Sequence, residues 1–217
     1  MKGQFFPLYD TAPVKKKPYI TIALILINVI IFIWSLSSPI VTIEFNGEKG
    51  YIPKYTLDYG FIPAQWSIIT IFTSMFLHGG LDHIFGNMWY LWIFGDNVED
   101  YWGKIKYIII YFLSGIGATF FHWLSDPSSV IPSIGASGAI SGILGSYLVL
   151  YPKAGVVVRG GALPAYFVIG FWFIMQLMFG LVSLTGGIGS GIAFWAHVGG
   201  FVFGAAITII YKKFKKF

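Results

Sequence analysis

From Tyr19 to Leu36 the chain reads YITIALILINVIIFIWSL, an apolar run without a charged side chain. Five more apolar segments follow, at 82–98, 106–124, 137–151, 164–184 and 193–211. A soluble fold has too little polar surface to cover so much apolar chain: 11% of the residues are charged, against about 25% in a soluble domain. A bilayer removes that demand and imposes another. With no water in its hydrocarbon core, each backbone N–H and C=O must be paired within its own segment, so the runs read as helices. A crossing takes about 20 residues, and the fourth segment is shorter and richer in glycine than a lipid-facing helix tolerates. It belongs at the centre of a bundle, shielded by its neighbours. The expectation is an all-α membrane protein of six transmembrane helices with a short central fourth helix.

Charge placement then orients the bundle. Six crossings divide the chain into a segment at 1–18, a membrane domain at 19–211 and a basic tail at 212–217. Of the 14 basic residues, all but Lys49 and Lys54 fall on the side that holds both termini, which makes that side cytoplasmic. The same excess marks contact with anionic lipid, and nothing further points to nucleic acid. No small-residue cleavage site follows the first run, so it reads as a retained anchor. With no soluble domain attached, the expected location is the plasma membrane. The chain has no cysteine, which excludes disulfides and thiol chemistry.

Two external connections carry information. The loop 37–80 begins polar, TIEFNGEKGYIPKY, and continues as WSIITIFTSMFLHG, apolar but too short to cross, and so expected to lie in the interface or re-enter. The last external loop, TGGIGSGIAF, has glycines at Gly186, Gly187, Gly189 and Gly191, few backbone constraints, and the makings of a movable lid.

Polar groups inside a bilayer are costly unless paired, so each is a functional candidate. Helices two, four and six all begin at the external face. Near those beginnings lie His83 and Asn87, then Ser137, then His197, all at one depth by the rise of about 1.5 Å per residue. A serine beside a neutral imidazole is the minimum for nucleophilic acyl chemistry, the imidazole taking the hydroxyl proton and returning it to the leaving group. His83 and Asn87 are four residues apart and share a helical face. With the free backbone N–H of Ser137 at its helix start, they could stabilise an oxyanion. No acid lies on helices four or six, which favours a Ser–His dyad.

Packing is the competing reading. Gly138 with Gly142, and Ala196, Gly200 and Gly204, fit the small-xxx-small pattern of close helix contact. Asp82 reads as an N-cap, and Phe171-Trp172-Phe173 as lipid-facing or packing surface. The histidines lack the tight spacings of a zinc hydrolase, so no metal and no cofactor is expected. A small transporter would predict mid-membrane charges or an internal repeat, and neither is present.

Taken together, the motifs resemble the rhomboid intramembrane serine proteases. Gly135-Ala136-Ser137-Gly138 is similar to that family's nucleophile motif. Ala196-His197-Val198-Gly199-Gly200, with Gly204, is similar to its general-base helix, and His78-Gly79-Gly80-Leu81-Asp82-His83 with Asn87 to its oxyanion-stabilising segment. The resemblance implies an endopeptidase that cuts transmembrane substrates near small residues. Ser137 would be nucleophile, His197 general base, and Asn87 with His83 the oxyanion donors. It further implies a structural role for Gly95, Glu99 and Gly103, and a gate at the fifth helix. Two departures stand out. Trp66 is followed by Ser67 where many members have arginine, and Ser141 stands where some place an aromatic beneath the imidazole. What orients His197 is left open. The alternative within the family is an inactive relative that binds membrane clients without cutting them, against which retention of Ser137 and His197 argues.

Overall fold

The computed structural model describes residues 6–45, 48–185 and 192–215. In chain order the elements are β1 (Pro7–Asp10), α1 (Tyr19–Ser35), β2 (Ile40–Phe45), β3 (Glu48–Pro53), α2 (Lys54–Tyr59) and α3 (Ile68–Thr73). Then come α4 (Leu81–Trp102), α5 (Lys104–Ser125), α6 (Ser137–Leu150), β4 (Gly155–Val158), β5 (Gly161–Pro164), α7 (Ala165–Ser183) and α8 (Phe194–Phe214). The six apolar runs are therefore α1, α4, α5, α6, α7 and α8, their ends within a few residues of the sequence expectation. Three of them, α5, α7 and α8, are long and apolar enough to cross a membrane unaided. A fourth candidate is the pair formed by Ile68–Phe76 and α4, which meet at a bend of 90°. That bend is where the apolar half of the 37–80 connection meets α4, and by length and composition the pair reads as a broken span or a re-entrant loop.

The chain is mostly helical, but its connections hold two small sheets that the all-α expectation did not include. β2 and β3 form an antiparallel hairpin. β1 pairs with β4, and β4 with β5, so the N-terminal segment is stitched to the connection between α6 and α7. Further bonds fasten that segment to α4: Trp89 Nε1 donates to Pro7 O at 2.7 Å, Asn97 Nδ2 to Ala12 O at 3.1 Å and Lys15 N to Asp100 Oδ2 at 3.1 Å. The β-branched run Val156-Val157-Val158 suits a pleated, half-covered strand.

The core lies where α4, α5, α6 and α8 meet, and the α6–α8 contact is the closest of these. A Cβ at Gly200 would meet the carbonyl oxygen of Gly138, one at Gly204 that of Gly142, and one at Gly145 that of Phe201. Backbone touches backbone along the seam, the geometry that small residues permit between helices in lipid. Hydroxyls reinforce it: Thr208 Oγ1 donates to Ser146 Oγ at 2.8 Å, and Trp102 Nε1 reaches the same Ser146 oxygen at 3.2 Å.

Glu99 does the equivalent work for α1. That helix has no side-chain cap of its own, and its first amides lack intrahelical acceptors. Buried Glu99 accepts from Ile20 N at 3.0 Å, Thr21 N at 2.8 Å and Thr21 Oγ1 at 2.9 Å, placing a negative charge where the helix dipole favours one. Gly95, one turn earlier on α4, leaves room for this contact, since a Cβ there would lie 2.7 Å from Tyr107 Oη and 3.0 Å from Thr21 Cγ2. Gly103, at φ 73°, makes the turn from α4 into α5. Asp82 is not the cap of α4: Gly80 holds that position without a side-chain bond, and Asp82 sits in the first turn.

Two outcomes follow from this packing. Gly204→Val drives a branched side chain into the Gly142 backbone and costs about 3 kcal/mol of stability. Gly170→Ala on α7, where nothing stands within 4 Å, gains about 0.5–1 kcal/mol; thermal unfolding in detergent reads both. At the N-terminal sheet, burial pushes the Asp10 carboxyl from 3.8 up to about 6, with Tyr147 and the Ala12 backbone offsetting part of the rise. The folded state thus holds the proton more tightly, so this contribution to stability is present below the unfolded value and is lost as pH rises through about 6. Asp10→Asn flattens that part of the decline in a melting-temperature series against pH.

Candidate active site

Ser137 opens α6, and the residues before it explain its exposure to a cavity. Gly135 has φ 125°, a left-handed conformation that side chains rarely adopt, and a Cβ there would stand 2.7 Å from His83 Nε2. Its N–H donates to Ser74 O at 2.8 Å, fixing the turn against the short helical stretch after α3. The chain therefore arrives at α6 in a conformation that favours glycine, and the first amides of the helix have no intrahelical acceptors.

His197 lies in the first turn of α8, its own N–H bonded to Ala193 O at 3.3 Å. The α6–α8 seam carries it to Ser137: Nε2 lies 2.8 Å from Ser137 Oγ. The other ring nitrogen, Nδ1, is 2.8 Å from Gln176 Oε1 on α7. Because an amide oxygen can only accept, Nδ1 carries the proton and the bare Nε2 faces the serine hydroxyl. Trp172, one turn before Gln176, stands beside the ring at 6.0 Å between centroids. The Ser141 hydroxyl donates to Ser137 O at 2.6 Å along its own helix.

His83 and Asn87 complete the wall opposite. His83 Nδ1 accepts from Gly79 N at 3.3 Å, which leaves the proton of a neutral ring on Nε2, the nitrogen that overlies Gly135. Asn87, 8% exposed, gives one amide proton to His83 O at 2.8 Å and keeps the second. Ser137, His197, His83 and Asn87 all line one cavity of about 1120 Å³, together with Met75 and Trp172. The sequence-predicted residues are thus brought to one place. Asp126 also lines the cavity, but its Oδ1 accepts from Ser128 Oγ at 2.9 Å, and His197 has amide and hydroxyl partners rather than a carboxylate. No three histidines and acids gather as a metal-ligand set among the described residues.

Sequence reasoning missed Gln176. Its signal was present, as the lone amide in the apolar stretch of α7, and it went unread because no spacing ties it to His197. Phe171-Trp172-Phe173 divides: Phe173 stacks on Phe201 at 4.3 Å, whereas Trp172 reaches the imidazole. Ser67 turns out to cap α3, its Oγ accepting from Thr70 N at 3.2 Å while Thr70 Oγ1 accepts from Ser67 N at 3.0 Å, a capping box. The glycine loop 186–191 lies outside the described residues.

Comparison with known proteins places this geometry in context. A family model described as "Rhomboid domain" matches residues 65–214. The chain is 28% identical to the rhomboid protease AarA of Providencia stuartii, over 88% of this chain and 72% of that protein. It is 30% identical to the mitochondrial RHOMBOID-like protein 6 of Arabidopsis thaliana, over 67% of this chain and 43% of that one. It is also 36% identical, over 42% of this chain and 26% of the relative, to the inactive RHOMBOID-like protein 8 of the same plant. The chain thus spans most of the bacterial relative and less than half of the plant ones.

The turn at Gly135 yields a direct test. Gly135→Ala is strained at its φ and presses on the His83 ring, so it lowers stability by about 1–3 kcal/mol. Thermal unfolding measures the loss, and His83→Ala placed beside Gly135→Ala relieves the steric part of it but not the backbone part.

Proposed function

The chain belongs to the rhomboid family, and from that premise we propose that it is an intramembrane serine endopeptidase acting on transmembrane protein substrates through Ser137 and His197. The observation that carries this reading is the 2.8 Å contact between Ser137 Oγ and His197 Nε2 at the mouth of a helix seam in an apolar chain. In the first step Nε2 takes the hydroxyl proton while Oγ attacks the substrate carbonyl carbon, giving a tetrahedral oxyanion. His83 Nε2–H, the second Asn87 amide proton and the Ser137 N–H are the donors for that oxyanion. The C–N bond then breaks, the imidazolium returns its proton to the leaving amine, and the acyl group stays on Ser137. Water, activated by the same imidazole, hydrolyses the ester and restores the serine.

The architecture proposed around this chemistry is a membrane domain at 19–211 with six crossings, in which α6, at 14 residues, is the short central helix. Its burial supports that place: Gly138 through Tyr147 are all buried, which suits a helix sheltered from lipid. The distribution of lysine supports cytoplasmic termini, while a mitochondrial relative leaves the choice of membrane to experiment. A reactive carbonyl must be freed from its own helix before attack, so substrates that unwind easily near small residues are the proposed class. The inactive relative gives the rival reading of client binding without cleavage, and the Ser137–His197 contact weighs against it.

Cleavage of a reporter transmembrane peptide in liposomes tests the proposal. Wild type cuts, whereas Ser137→Ala and His197→Ala each lose about 10⁶ in kcat, and a fluorophosphonate labels the wild type but not Ser137→Ala. Retained substrate binding with no cleavage by the wild type would instead establish the client-binding role.

A further inference from the structure

An amide on an otherwise apolar helix is costly unless paired, and Gln176 is the only amide side chain of α7. Resting on the protease reading, we propose that Gln176 is a positioning residue that holds His197 in the tautomer and orientation its role as base requires. With Oε1 accepting at 2.8 Å, the proton sits on Nδ1, and Nε2 keeps its lone pair toward Ser137 Oγ. In the opposite tautomer Nε2 would carry the proton, and the serine hydroxyl would have no acceptor to give its own to. Among the described residues the imidazole has no other side-chain hydrogen bond than those to Gln176 and Ser137. Ser141 is engaged with Ser137 O, and Trp172 restricts the ring from its flank without bonding to it.

A neutral amide differs from the carboxylate that completes a serine-protease triad. It selects the tautomer and fixes the ring, but it does not neutralise the imidazolium that forms during attack. Its removal therefore acts on turnover and leaves substrate affinity alone. The position also gives α7 a part in the chemistry. α7 buries only Ala165, Val168, Ile169 and Gly180, and through Gln176 this sparsely buried helix touches the base directly.

The test compares Gln176→Leu, which fills the space without an acceptor, with Gln176→Glu, which keeps an oxygen at the same reach. On the reporter peptide, Gln176→Leu loses about a hundredfold in kcat, the lower end of what general-base catalysis contributes, with KM changed less than about twofold. Gln176→Glu recovers most of that loss. In parallel, ¹⁵N-histidine spectra of the detergent-solubilised protein, assigned with His197→Ala, show the Nδ1-protonated pattern in wild type and a tautomer-averaged one in Gln176→Leu. An unchanged His197 spectrum and unchanged kcat in Gln176→Leu would overturn the proposal, as would a loss matched by a fall in melting temperature with the spectrum intact. The spectra do not depend on turnover. If the wild type fails to cut in a Ser137-dependent way while His197 still loses its tautomer in Gln176→Leu, the protease reading falls and the positioning of the ring stands.

Discussion

The close approach of α6 and α8 sets the position of everything that matters in the site. Two helices touch backbone to backbone only where both lack side chains, and here Gly138 meets Gly200, and Gly142 meets Gly204, in successive turns. That repetition fixes register as well as distance: sliding one helix by a residue would put a side chain against a carbonyl. Ser137 immediately precedes the first of these contacts and His197 lies one turn before its partner. Their 2.8 Å separation is thus inherited from the seam. The packing and catalytic readings of the glycine-rich helix, which compete on paper, do not exclude one another, because the glycines that pack the seam also bring Ser137 to His197.

The bilayer explains how polar groups are distributed along the bundle. At one end Glu99 closes the start of α1, and Ser146, Thr208 and Trp102 satisfy one another between α4, α6 and α8. Those groups bond to partners fixed in the fold and are chemically quiet. At the other end His83, Asn87, Ser137 and His197 line an open cavity, and donors such as the second Asn87 proton are kept in reserve. The polar groups around Glu99 and Ser146 thus have partners fixed in the fold, whereas those at the cavity keep bonding capacity open.

Much of this was legible in the sequence, for identifiable reasons. Lipid-compatible runs mark their own lengths, so the six long helices were placed within a few residues. Ser137, His197, His83 and Asn87 could be gathered because each sits near the start of its helix, and six expected crossings put those starts at one end of the bundle, where depth follows from counting. What counting does not give is rotation. Gln176 lies mid-helix on α7, and whether it faces lipid or the imidazole depends on how α7 turns against α8. The β1–β4–β5 sheet escaped for a related reason, since Pro7–Asp10 and Gly155–Val158 carry no joint pattern until the fold brings them together. Asp82 was misplaced by one turn chemistry over another: Gly80, extended, takes the cap position that the acid's identity suggested.

The sequence separation of these contacts also dictates an order of assembly. Glu99 can close on Thr21 as soon as α4 has been made, but β1 must wait for β4, and until then Pro7–Asp10 is a strand without a neighbour. At translation rates of about 5–20 residues per second, that wait is on the order of ten seconds. Ser137 waits less, since 60 residues separate it from His197, but its partner arrives last, only when α8 has been synthesised. A nascent chain therefore carries Ser137 without its imidazole partner until α8 has been made. The Ser137–His197 contact is thus completed after the N-terminal sheet, late in the assembly of the chain.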